Sequence, residues 1–214
     1  MGCDIHVYME RKHKGVWVAV NPEPAPESVK HDYSIHHWGR YVETDMMEEL
    51  AMALEEPEDQ VPRRAQEWHF GRHYDAFAQL AGVRGDEGMM QYPSGIPADA
   101  SIQVWREAMM MVVPDVAEED ENLSDDIGYI ADKVAVARGY RRSTRDGAEW
   151  VMYADWHTPS AYTLEGLKRC IESNEDDELP VEGRVRDLLR AMEKVASDFS
   201  LGGEDVRTVF WFDN

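Results

Sequence analysis

Alternating apolar and polar residues open the chain. In residues 3–9 the side chains of Cys, Ile, Val and Met fall on every second position, and this period of two indicates a β-strand. A second apolar run, Val16–Val20, follows a charged turn that contains Gly15, so the two runs predict a β-hairpin. Residues 205–214 are rich in β-branched and aromatic side chains, which favours a centrally packed strand.

Apolar residues at spacings of three and four predict helices between these strands. The clearest helix runs from about residue 181 to residue 199, and Gly202 follows it. Weaker patterns predict helices at 44–54, 74–81, 101–111, 124–138 and from 163 onward, and a further strand at 148–154 followed by a turn at 156–159. The pattern predicts one α+β domain over residues 1–214. Its antiparallel sheet includes the N-terminal hairpin and the C-terminal strand, and several helices cover it.

The charge of the chain narrows the choice of partners. Asp and Glu number 43 against 22 Lys and Arg, a net charge of −21, so binding to the phosphate backbone of a nucleic acid is not expected. A solvated acidic surface is the simplest interpretation. Imitation of DNA and a surface for a basic partner remain alternatives. Since no apolar run reaches about 18 residues and no signal pattern opens the chain, we expect a cytoplasmic protein that does not enter a membrane.

Several blocks of the chain resemble a group of uncharacterised phage and prophage proteins. They cover about a quarter of the sequence and read MGCDIHVY at 1–8, RHYDAFAQLAGVR at 72–84, SGIPADAS at 94–101, HTPS and YTLEGL within 157–167, and VFWFDN at 209–214. The resemblance implies a virus- or prophage-encoded accessory protein. It implies no particular reaction.

Asp4 and His6 form the sharpest local arrangement of chemically useful side chains. An i, i+2 spacing on a strand points both side chains to the same face, about 6 to 7 Å apart, so the pair can share one divalent ion. Carboxylate and imidazole together suit Zn, Mn or Fe, and His157 and Asp213 are the expected further ligands. The alternative is a structural role, with His6 hydrogen-bonded in the sheet and Asp4 forming a turn.

Arg72 and Arg84 are the candidate substrate-binding residues. They flank the predicted helix at 74–81, and guanidinium groups bind phosphate or carboxylate in a bidentate manner. Internal salt bridges are the alternative. No nucleotide cofactor is expected, because the chain contains neither a P-loop nor a strand followed by Gly-x-Gly-x-x-Gly.

Two functions are compatible with these residues. The first is a metal-dependent hydrolase that acts on a phosphorylated or nucleotide-like small molecule. The second is a non-catalytic acidic binding protein that captures a host protein or a signalling nucleotide. The sequence leaves open whether the protein is an enzyme.

Overall fold

The computed structural model describes residues 5–21, 65–68, 70–71, 73–82, 95–113, 129–153, 156–175 and 183–213. This part of the chain contains both helices and strands. In order they are β1 (Ile5–His13), β2 (Val16–Val20), α1 (Tyr74–Ala81), α2 (Ile102–Ala108), β3 (Met109–Val113), β4 (Tyr129–Ala131), α3 (Asp132–Ala137), β5 (Arg142–Arg145), β6 (Ala148–Met152), β7 (Trp156–Thr163), α4 (Leu164–Glu175), α5 (Gly183–Asp198), a 3₁₀ turn (Gly203–Asp205) and β8 (Val206–Asp213).

The first sheet joins the two ends of the described chain. Its strand order is β2-β1-β8-β7, and every neighbouring pair is antiparallel. Ile5 lies opposite Phe212, and the register continues to Arg11 opposite Val206. The predicted α+β class and the predicted antiparallel sheet, with its hairpin and its C-terminal strand, are therefore confirmed.

Each face of this sheet belongs to a separate core because side chains alternate along its strands. On one face, Val7 and Phe210 pack with residues of α1, α4 and α5. On the other face, Tyr8 and Trp211 pack with residues of α2 and of the second sheet. Helices thus cover one side of the first sheet, and the second sheet lies on its other side.

The second sheet has the strand order β4-β3-β6-β5. Its strands differ from the elements that the sequence pattern predicts for these residues. The helix expected at 101–111 ends at Ala108, and the chain continues as β3 from Met109. The methionines alternate between the two faces of the sheet, and Met110 pairs with Val151 of β6. Burial against β6 therefore overrides the good helix propensity of methionine.

Other boundaries also differ from the sequence pattern. The helix expected at 124–138 is observed only as α3, directly after β4, and residues 124–128 lie outside the described residues. The turn expected at 156–159 is part of β7. Strand β5 was not expected, because its sequence Arg-Ser-Thr-Arg has no apolar period. The predicted helix at 44–54 lies outside the described residues.

A buried ion pair links the two central strands of the first sheet. Glu10 of β1 is fully buried, and its Oε2 accepts from Arg207 Nε of β8 at 2.5 Å. Arg207 also donates to the Asp99 carboxylate at 2.8 Å, and its guanidinium lies 3.9 Å from the centre of the Trp17 ring. The backbone N–H of Ser101 donates to the second oxygen of Glu10. Both charges of the pair are therefore compensated inside the protein.

Candidate functional site

His6 lies on β1 directly opposite Trp211 of β8. Cross-strand partners in an antiparallel sheet share a face, and the two rings stack with centroids 6.0 Å apart and planes inclined by 27°. Tyr8 stacks on the same indole at 4.9 Å. The side chain of His6 is 15% exposed. The sheet therefore holds the imidazole in one orientation at the end of a buried aromatic stack.

Glu67 approaches His6 from a segment that lies beside β1. Strand β2 pairs with β1 only from Met9 to His13, and beyond that point the backbone N–H of Trp68 donates to the carbonyl of Val7 at 2.7 Å. This contact places Glu67 Oε2 3.0 Å from Nδ1 of His6. The sequence gives no indication of Glu67, because no periodic pattern marks residues 65–68.

Asp213 approaches the other ring nitrogen. It lies two residues beyond Trp211 on β8, so the alternation of the strand places it on the same face as His6. Its Oδ2 is 3.5 Å from Nε2 of His6. Two ligands of one tetrahedral ion, each bonded at about 2.0 to 2.1 Å, are about 3.3 Å apart. His6 and Asp213, two of the four residues expected to bind a metal ion, thus lie side by side.

Burial and the two carboxylates act on the His6 imidazole in opposite directions. Burial disfavours the charged ring and lowers its pKa, but hydrogen bonds and charges from Asp213 and Glu67 favour the charged ring. The carboxylates prevail and raise the pKa of His6 from 6.5 to about 9. The site therefore favours a positive charge at this position in neutral solution.

His157 lies apart from His6, Glu67 and Asp213. It lies opposite Phe212 in the β7–β8 register and stacks on that ring at 5.8 Å, and Phe212 points away from the face that carries His6. The position of His157 in strand β7, in place of the expected turn, puts it on the other side of the sheet.

The other expected site residues, Asp4, Arg72 and Arg84, lie outside the described residues. Within the described part of the chain, no three His, Cys, Asp or Glu side chains form a group that could hold a metal ion. Glu67 faces Nδ1 and Asp213 faces Nε2, so these two carboxylates lie on opposite edges of the His6 ring. One ion can therefore contact Nε2 of His6 and the carboxylate of Asp213, while Glu67 fixes the ring through Nδ1.

The raised pKa of His6 predicts a specific pH dependence for the metal-free protein. Because the pKa is about 9 in the folded state and 6.5 as its ordinary value, the contribution of His6 to stability is fully present below pH 6.5 and declines as the pH rises to about 9. Urea unfolding in the presence of a chelator, at intervals from pH 6 to pH 9.5, measures this decline. The difference in stability between the parent protein and His6→Gln should shrink over that range. A constant difference would contradict the prediction.

Comparisons with known proteins add no assignment to this site. No family model matches the chain, and neither the curated proteins nor the solved structures contain a match. The resemblance to phage and prophage proteins therefore stays a prediction. Within the described residues, no helix has the length and the apolar character needed to cross a membrane.

Proposed function

We propose that the protein is a metal-dependent hydrolase of a phosphorylated or nucleotide-like small molecule, with His6 and Asp213 as ligands of its ion. One observation carries this proposal. The imidazole of His6 lies between Glu67 on one nitrogen and Asp213 on the other, at 3.0 and 3.5 Å. Histidines that bind metal ions in proteins commonly donate their second N–H to a carboxylate in this way.

The positions of the two carboxylates support different roles for them. Glu67 Oε2, at hydrogen-bonding distance, fixes the orientation of the His6 ring and makes it a more basic ligand. Asp213 is 31% exposed, so its side chain is partly in contact with solvent, as a ligand of an ion that activates water must be. Imidazole and carboxylate are a donor set that suits Zn, Mn or Fe.

Asp4 is the expected third ligand of the ion. It precedes His6 by two residues, and its side chain would share the face of His6 if β1 extended to that position. A bound divalent ion would bring the pKa of a coordinated water close to neutrality and so supply a nucleophile. Arg72 and Arg84 stay the expected residues for holding the anionic group of the substrate.

Thermal unfolding with added metal tests the site. Since an ion that binds only the folded state stabilises it by mass action, Zn or Mn should raise the melting temperature of chelator-treated protein. His6→Ala and Asp213→Ala should each abolish this increment. Glu67→Gln should weaken metal binding by about 10- to 100-fold, because the ring loses its carboxylate partner. Elemental analysis of the purified protein gives the stoichiometry.

His73→Ala is the matched control for this experiment. His73 is exposed and accepts from Arg184 at the surface, so its loss should leave the metal-induced increment intact. An unchanged melting temperature of the parent protein with either metal would overturn the proposal. So would an increment that persists in both His6→Ala and Asp213→Ala.

A non-catalytic binding function is the second candidate, and the net charge of −21 favours it. An acidic surface accelerates association with a basic partner, and this effect decreases as the salt concentration rises. Hydrolysis assays with phosphate monoesters, diesters and nucleotides separate the two functions. A protein that binds metal ions but turns over none of these compounds would fit the binding function.

A further inference from the structure

Thr158 in β7 adopts a backbone conformation that its sequence disfavours. Its φ angle is +53°, in the left-handed region that branched side chains rarely occupy. Thr158 also precedes Pro159, and the proline ring restricts the backbone of the residue before it. Such a conformation costs on the order of 1 to 3 kcal/mol and persists only where surrounding contacts impose it.

A register shift and two hydrogen bonds hold the backbone around Thr158. The β7–β8 register shifts between His157 and Ser160, so the chain bulges at Thr158. The Ser160 hydroxyl donates to the carbonyl of Thr158 at 3.2 Å, and the N–H of Gly95 donates to the carbonyl of Pro159 at 2.9 Å. Tertiary structure therefore holds the strained residue in place. Strained residues of this kind concentrate at active sites and ligand-binding sites.

In this strained conformation, the hydroxyl of Thr158 lies beside the imidazole of His157. Thr158 Oγ1 lies 2.8 Å from Nδ1 of His157, and the ring of His157 is fixed by stacking on Phe212 with planes inclined by 22°. Both residues are half-buried, so each keeps part of its surface in contact with solvent. When a hydroxyl lies within hydrogen-bonding distance of a histidine, the histidine can take its proton and so activate the oxygen as a nucleophile. A strained backbone at the nucleophile is also a feature of known nucleophile elbows, although Thr158 lies in a strand bulge instead of a strand-to-helix turn.

We propose that Thr158 and His157 form a nucleophile–base pair that accepts an acyl group from an ester. Thr158 Oγ1 bonds to the acyl carbon of the ester, and its proton passes to Nδ1 of His157. The bond from the acyl carbon to the leaving oxygen then breaks, and the leaving alcohol takes this proton. Water hydrolyses the threonine ester, which releases a carboxylic acid and restores both side chains.

This pair is independent of the metal site proposed above. His157 stacks on Phe212, whereas His6 and Asp213 lie on the opposite face of the first sheet. The acyl transfer uses no metal ion, so a chelator should leave it unchanged. A result that overturns one of the two proposals therefore leaves the other intact.

Reaction with p-nitrophenyl acetate in the presence of a chelator tests the pair. We expect a burst of p-nitrophenol that approaches one equivalent per chain, and mass spectrometry of peptides should locate one acetyl group on Thr158. Thr158→Val keeps the branched shape but lacks the hydroxyl, and Thr158→Ala also removes the branch. Both should abolish the burst, while Thr158→Ser should retain it. His157→Gln should slow it by about 100-fold or more, as expected for loss of a general base.

Thr144→Ala and His73→Gln are the matched controls, since both residues are exposed and lie on other elements or loops. Neither control should change the burst. A burst that persists in Thr158→Val or Thr158→Ala, or an acetyl group found only on other residues, would overturn the proposal. Loss of the burst with chelator alone would assign the reaction to the metal site and would also overturn it.

Discussion

A chain that ends at Thr208 is expected to lose its cooperative unfolding transition. The truncation removes four consecutive side chains that are completely buried, Val209, Phe210, Trp211 and Phe212. It also removes part of the strand that lies between β1 and β7, so both strands lose backbone hydrogen bonds. Each of the three aromatic side chains contributes about 3 to 5 kcal/mol, and their sum of about 9 to 15 kcal/mol is comparable to the whole stability of a domain. Near-ultraviolet circular dichroism and urea titration measure the loss.

Asp213→Asn is the control for this truncation. It keeps the strand and its buried side chains but removes one charge beside His6. A truncated protein that melts cooperatively near the temperature of the parent would show that the central strand does not hold the sheet together. In that case the pairing of β8 with both neighbours would be in doubt.

Arg207→Ala should destabilise the protein by about 3 to 5 kcal/mol. The substitution leaves the carboxylate of Glu10 buried without the guanidinium that compensates its charge. It also removes the ring contact with Trp17 and both hydrogen bonds to Asp99. Urea unfolding at neutral pH measures the difference from the parent protein.

Two further variants separate the charge effect from a general loss of packing. The double substitution Glu10→Leu with Arg207→Met removes both charges and should recover much of the lost stability. Arg190→Ala removes a guanidinium that is 70% exposed and should change the stability by no more than about 0.5 kcal/mol. Equal losses in Arg207→Ala and in the double variant would contradict the role of the uncompensated charge.

The sequence predicted three of the four strands of the first sheet, β1, β2 and β8, because these strands carry strong patterns, whereas it indicated a turn at the start of β7. The period of two in residues 5–9 reflects one apolar face, whereas the continuous apolar and aromatic run of β8 reflects burial on both faces. Strand β5 lacks such a pattern because Arg142 is paired on one face with Asp132 and Glu149, and Arg145 stacks over Trp105 on the other. Polar contacts therefore stabilise a strand that hydrophobicity does not reveal.

The same distinction applies to the candidate site. The spacing of His6 within β1 and the place of Asp213 on β8 were sufficient to predict that they lie close together. Glu67 was beyond prediction, because its position depends on how residues 65–68 pack beside β1. His157 was expected in a loop, and its position opposite Phe212 could not be predicted because the sequence did not indicate strand β7.

The central pairing of β1 with β8 has a consequence for the synthesis of the protein. Glu10 and Arg207 are 197 residues apart in the chain. During synthesis, β1 therefore cannot pair with β8 until nearly all of the intervening residues have been made. At about 5 to 20 residues per second, this delay lasts about 10 to 40 seconds. During that time the apolar side chains of the hairpin have no sheet to join, and only local contacts can form. The first sheet therefore assembles late, and slower synthesis at low temperature or chaperone binding to the nascent hairpin should govern how much native protein a cell accumulates.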